Sequence, residues 1–90
     1  MAVIRVTHQS GSNYLVRVDE GKSATEHRVT ASPEMVSKIG GKATAEELIQ
    51  ASFEFLLERE PKESILRRFE LTVIGKYFPE YRNEIRKFLA

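Results

Sequence analysis

The chain has no cysteine and no tryptophan, and only three prolines. Without cysteine there is no disulfide, no thiolate ligand for a structural zinc and no thiol nucleophile. That usage fits a reducing compartment. No apolar run approaches the roughly 18 to 20 residues needed to span a bilayer. The opening Met1-Ala2-Val3-Ile4-Arg5 lacks the basic and apolar regions of a secretory signal. A cytoplasmic location with no membrane partner is therefore expected. A surplus of one charge is missing too: 14 Lys and Arg stand against 13 Asp and Glu, for a net +1. Bulk charge alone selects no class of partner.

Ninety residues, 41% of them hydrophobic and 30% charged, describe one globular domain spanning residues 1–90. Charge and aromaticity are unevenly spread within it. Residues 32–60 carry three bases against six acids, and residues 61–90 carry seven bases against four acids. Seven of the eight aromatic residues lie between Phe53 and Phe88, and only Tyr14 lies outside. The acidic stretch either lies against the basic one and neutralises it, or the polarity steers a partner.

Residues 1–31 read as a β-meander. Val3-Ile4-Arg5-Val6-Thr7 is rich in β-branched residues, and Ser10-Gly11-Ser12-Asn13 supplies a turn. Tyr14, Val16 and Val18 then alternate with Arg17 and Asp19. Asp19-Glu20-Gly21-Lys22 turns the chain again into Thr25–Thr30. Residues 32–90 read as helical. Ser32-Pro33-Glu34 offers an N-cap, a proline at the first helical position and an acid in the first turn, and Gly40-Gly41 ends that helix. Thr44 with Glu47 fits a capping box. The helix it opens runs to about Arg59, and its apolar residues from Ala45 to Leu57 cover about 200° of the circumference. That arc predicts a central helix. Glu47, Gln50, Glu54 and Glu58 form its wet side. Pro61 is expected to start another helix with Ile65, Leu66 and Phe69 as its stripe, Thr72 to cap a short one, and Pro79 to restart a last one over Tyr81, Ile85, Phe88 and Leu89. The expected fold class is α+β: a three-stranded antiparallel meander packed against a central helix and a C-terminal cluster of short helices.

No catalytic constellation emerges. His8 and His27 fall on or beside strands with no third ligand at metal spacing, and solvent-facing or sheet-edge histidines are expected. The acids cluster on an exposed helix face rather than as a pair in a pocket. No serine sits in a G-x-S-x-G turn. Gly40-Gly41-Lys42 lacks the first glycine and the hydroxyl residue of a phosphate loop, where Val36 and Ala43 stand. Ser64–Tyr77 has a helix–turn–helix rhythm, but Leu66 and Glu70 replace the small residues of that motif and Pro79 cuts the second helix short. No cofactor is expected, and the chain is read as a non-enzyme.

The segments Phe55-Leu56-Leu57-Glu58-Arg59-Glu60-Pro61, Ile65-Leu66-Arg67-Arg68-Phe69-Glu70-Leu71 and Tyr77-Phe78-Pro79-Glu80-Tyr81 resemble a family of short uncharacterised prokaryotic proteins, over roughly residues 44–89. The resemblance implies no activity, and no residue role follows from it.

The leading functional expectation is a small binding module acting through protein–protein contacts, with an unknown protein or a second copy of itself as a homodimer. Tyr14, Phe55, Tyr77 and Tyr81 are the aromatics expected to reach the surface, and tyrosine and arginine are enriched in interface hot spots. The alternative is nucleic-acid binding through the basic C-terminal residues Arg67, Arg68, Lys76, Arg82, Arg86 and Lys87, by contacts to phosphate rather than to bases.

Overall fold

A computed structural model describes residues 2–89. The fold is α+β. Among the described residues, strands β1 (Val3–Ser10), β2 (Asn13–Asp19) and β3 (Ala24–Thr30) are followed by helices α1 (Pro33–Gly40) and α2 (Ala45–Leu57). A single 3-10 turn at Lys62–Ser64 leads to strand β4 (Arg68–Glu70) and helices α3 (Val73–Tyr77) and α4 (Tyr81–Leu89). The sheet order is β1-β2-β3-β4. The first three strands form the expected antiparallel meander, with Val6 opposite Val16 and Val16 opposite His27.

The local signals act as their chemistry demands. Gly11 and Gly41 take positive φ values of 53° and 63°, at the first hairpin and at the end of α1, where a side chain would be strained. Ser32 Oγ accepts from the Met35 amide at 3.3 Å. Thr44 and Glu47 make both bonds of a capping box, at 3.1 and 2.8 Å, satisfying amides that the first turn of α2 leaves unpaired.

α2 is the central element because it is apolar on two sides. Phe53 and Phe55 are two residues, hence about 200°, apart around the helix. Phe53 turns toward the sheet, its ring 5.3 Å from His27 and 6.0 Å from Phe69. Phe55 turns toward the C-terminal helices, with Tyr81 at 5.3 Å, Phe78 at 6.0 Å and Phe88 at 6.1 Å. Both are fully buried, while Glu47, Gln50, Glu54 and Glu58 are exposed.

The region after Pro61 departs from expectation. Residues 65–69 do not form a helix; Arg68–Glu70 adds a fourth strand, parallel to β3, with Val29 opposite Phe69. The Arg28 amide donates to the Arg67 carbonyl at 2.7 Å, and the Leu71 amide donates to the Thr30 carbonyl at 3.0 Å. Those bonds pair an edge of β3 that would otherwise lie open. Phe69 and Leu71 point inward while Arg68 and Glu70 are exposed, a period-two pattern that satisfies the sheet better than a helix would. Thr72 makes no side-chain cap for the five-residue α3.

Candidate binding groove

Three polar clamps hold the chain around the end of α2. Lys62 follows Pro61, and its stem is almost wholly buried, at 2% exposure. Its ammonium meets Glu20 at 2.7 Å, Glu63 at 2.6 Å and the Ser23 hydroxyl at 2.7 Å. The hydrogen bonds that Lys62 donates to the Glu20 and Glu63 carboxylates hold it above its ordinary pKa, while Lys62 holds Glu63 below its own. The 3-10 turn is thus tied to the β2–β3 hairpin.

His27 is the second clamp. The expectation of a solvent-facing or sheet-edge histidine holds for exposed His8 but is corrected for His27, which is fully buried. Alternation along β3 puts His27 on the same inward face as Thr25 and Val29. Its Nδ1 lies 2.8 Å from the Leu66 carbonyl, and its Nε2 lies 2.8 Å from the Thr25 hydroxyl. A carbonyl only accepts, so Nδ1 carries the proton and Nε2 accepts from Thr25. Burial lowers the His27 pKa, and nearby Arg67 adds to that, against the Leu66 bond. Among the described residues no group of three His, Asp or Glu side chains could hold a metal ion.

Arg59 is the third. Its guanidinium lies 3.7 Å over the Phe55 ring and meets Glu80 at 3.1 Å and Glu84 at 3.2 Å. It ties the end of α2 to α4 by stacking and charge together. A base of the acidic segment here meets acids of the basic one. Among the described ion pairs, no acid of α2 reaches Arg82, Arg86 or Lys87.

Between these clamps lies an open groove of about 340 Å³. Its floor is Leu56, Ile65, Phe69 and Ile74, all buried. Its rim carries Leu66 and Tyr77, 46% and 68% exposed, two of the three large apolar side chains that the described surface leaves in water. Glu60 also lines it. Burial raises the Glu60 pKa, and no cation or hydrogen-bond donor of the described residues offsets that. The five-residue α3 lines it with Val73, Ile74 and Tyr77.

Of the aromatics expected at the surface, Tyr77 is there. Tyr14, Phe55 and Tyr81 are buried, and this corrects the expectation. Tyr14 shares the inward face of β2 with Val16 and Val18, and is carried into the core with them. Phe55 centres the aromatic cluster. Tyr81 is fully buried because its hydroxyl finds a partner there, Ser52 Oγ at 2.6 Å; that hydroxyl in turn donates to the Leu48 carbonyl at 2.7 Å. Burial pushes the Tyr81 pKa up to about 12.

The six basic residues are all exposed and come from three places in the chain, Arg67 and Arg68 at β4, Lys76 on α3 and the other three on α4. Arg68 faces outward from the sheet, away from the helical layer. Arg82, Arg86 and Lys87 are on α4, which packs on α2 and α1, and Arg82 reaches the Lys38 carbonyl at 3.5 Å. Sequence reasoning missed Glu60 and Lys62 and placed His27 at the surface; Lys62 and His27 take their deciding partners from distant segments, Glu20 and Ser23 for the one and Leu66 for the other. Among the described residues no helix is long and apolar enough to cross a membrane. Compared with family models, curated proteins and solved structures, the chain has no significant match.

Proposed function

We propose that this protein is a small binding module whose groove takes a short segment of a partner protein, with adjacent apolar side chains and one lysine or arginine. The observation carrying this reading is the pairing of exposed Leu66 and Tyr77 with unpaired Glu60 around one apolar groove. Exposed apolar side chains gathered at a concave site mark contact surfaces. A carboxylate at such a site, already drawn partly out of water without a cation, favours a basic group on the partner. The clamps at Lys62, His27 and Arg59 fix the walls, so little ordering entropy opposes binding.

The test is selection from a random peptide library displayed on phage. Peptides pairing a basic residue with apolar anchors at constant spacing are expected. Tyr77→Ala is expected to weaken such peptides by about 30-fold, the scale of a truncated tyrosine hot spot of about 2 kcal/mol. Glu60→Gln is expected to weaken them and to spare variants whose basic residue is replaced. Binders indifferent to both substitutions would place the site elsewhere. If a second copy is the occupant, sedimentation becomes concentration-dependent and Tyr77→Ala abolishes the dependence.

A further inference from the structure

The sheet has a face that the helices do not cover, and the strand register arranges its charges unusually. Alternation puts Arg5 and Thr7 of β1, Leu15, Arg17 and Asp19 of β2, Glu26 and Arg28 of β3, and Arg68 and Glu70 of β4 on the side away from α2. Two of the cross-strand neighbours are then arginine against arginine: Arg5 opposite Arg17, and Arg28 opposite Arg68. Like charges placed directly opposite destabilise a sheet, and a face needing only solubility gains nothing from them.

The acids on this face neutralise one of the four. Arg17 meets Glu26 at 3.3 Å and Asp19 at 4.0 Å. Arg28 donates only to the neutral Gln9 side chain, at 3.2 Å. Arg5 and Arg68 have no acidic partner among the described residues. Glu70 stands opposite Thr30, a diagonal step from Arg28, and forms no ion pair among the described residues. Three guanidinium groups therefore keep unused donors. Adjacent strands are about 4.8 Å apart, so Arg28 and Arg68 can grip one anion between them, and Arg5 lies on the order of 12 Å from Arg28 across the sheet. Guanidinium forks match phosphate oxygens. The aromatics of these strands, Tyr14 and Phe69, both point into the core, so this face has no platform on which bases could stack.

We propose that the uncovered sheet face binds the phosphate backbone of nucleic acid without sequence preference, Arg28 and Arg68 clamping one phosphate and Arg5 meeting another. Of the basic residues singled out in the sequence, only Arg68 belongs to this surface, and the site is independent of the groove.

The test is fluorescence anisotropy of an end-labelled, mixed-sequence RNA of about 20 nucleotides, titrated with the full chain at low and physiological salt. Binding that weakens with salt is expected. Arg28→Glu with Arg68→Glu should reduce affinity at least about tenfold and lower the slope of log affinity against log salt by about 0.7, the share of the one phosphate they clamp together. The triple reversal Arg82→Glu, Arg86→Glu, Lys87→Glu should leave affinity within about twofold. Arg68→Glu alone puts opposite charges across β3 and β4, so it should raise the melting temperature while still losing affinity, a combination that misfolding cannot produce. No salt-sensitive binding by the unaltered protein, or an equal loss in the α4 triple variant, would overturn the proposal.

Discussion

Ser52 and Tyr81 share a buried hydrogen bond whose two ends differ in what they lose. Ser52 Oγ donates to the Leu48 carbonyl, so the Tyr81 hydroxyl is the donor to Ser52. Tyr81→Phe removes one donor and leaves Ser52 satisfied by Leu48. The expected loss is about 1 kcal/mol, the net worth of an ordinary hydrogen bond. Ser52→Ala strands the Tyr81 hydroxyl in a fully buried site. Its expected loss is about 1–3 kcal/mol, the penalty for an unsatisfied buried polar group. Urea unfolding of the two variants checks the order; a costlier Tyr81→Phe would mean that another group can satisfy the tyrosine hydroxyl. Neither partner announces this bond in the sequence, where Ser52 is a small residue within an apolar arc and Tyr81 an amphipathic aromatic of a surface helix.

At the scale of elements, what could be read from sequence was what is local. The capping box of α2, the Ser32-Pro33 start of α1 and the alternation of β2 each lie within a few residues, so their chemistry is visible in a short window. β4 is different. Ile65, Leu66 and Phe69 fit a helical stripe, while Phe69 and Leu71 fit a strand, and so short a run suits both periods. The choice is made by the open edge of β3, about 40 residues earlier in the chain, and by the clamps that bring the segment there. Tyr77 was legible as a surface aromatic, but the roles of Glu60 and Lys62 were not: the meaning of Lys62 lies in Glu20 and Ser23 on a hairpin of the meander. Lys62→Met should therefore loosen the 3-10 turn while the meander stays paired. The Ser64 and Ile65 amides, bonded to Pro61 and Lys62 carbonyls at 2.9 and 3.2 Å, are expected to exchange with deuterium about tenfold faster, with Ile49 in α2 unchanged. Uniform acceleration would show that Lys62 supports the whole fold rather than this turn.

For the whole molecule, the buried titratable groups set a pH window of stability with different causes at each end. His27 is neutral in the fold, packed between Phe53, Thr25 and the Leu66 carbonyl with Arg67 nearby, and its pKa is lowered chiefly by burial. The unfolded chain therefore takes up this proton first. The contribution is complete above the ordinary histidine value of about 6.5 and is lost as pH falls from there through the folded value, at no more than about 1.4 kcal/mol per pH unit. Glu60 works in the opposite sense. Its folded pKa is raised by burial, so acidification through that raised value toward the ordinary carboxylate range relieves the fold. Three groups act at the alkaline end. Burial pushes the Tyr81 pKa up to about 12 and raises that of Tyr14, and the Glu20 and Glu63 carboxylates raise that of Lys62. For each, the unfolded chain loses its proton first, so stability is lost as pH rises beyond about 10. Thermal melts from pH 5 to 11 should fall on both sides of neutrality. His27→Gln should flatten the acid limb below pH 6.5, Glu60→Gln should steepen it toward the carboxylate range, and Tyr81→Phe should flatten the alkaline limb in part while leaving the acid limb unchanged. An acid limb unchanged in His27→Gln would mean that the histidine takes up its proton inside the fold, with Thr25 turning its hydroxyl to accept from Nε2.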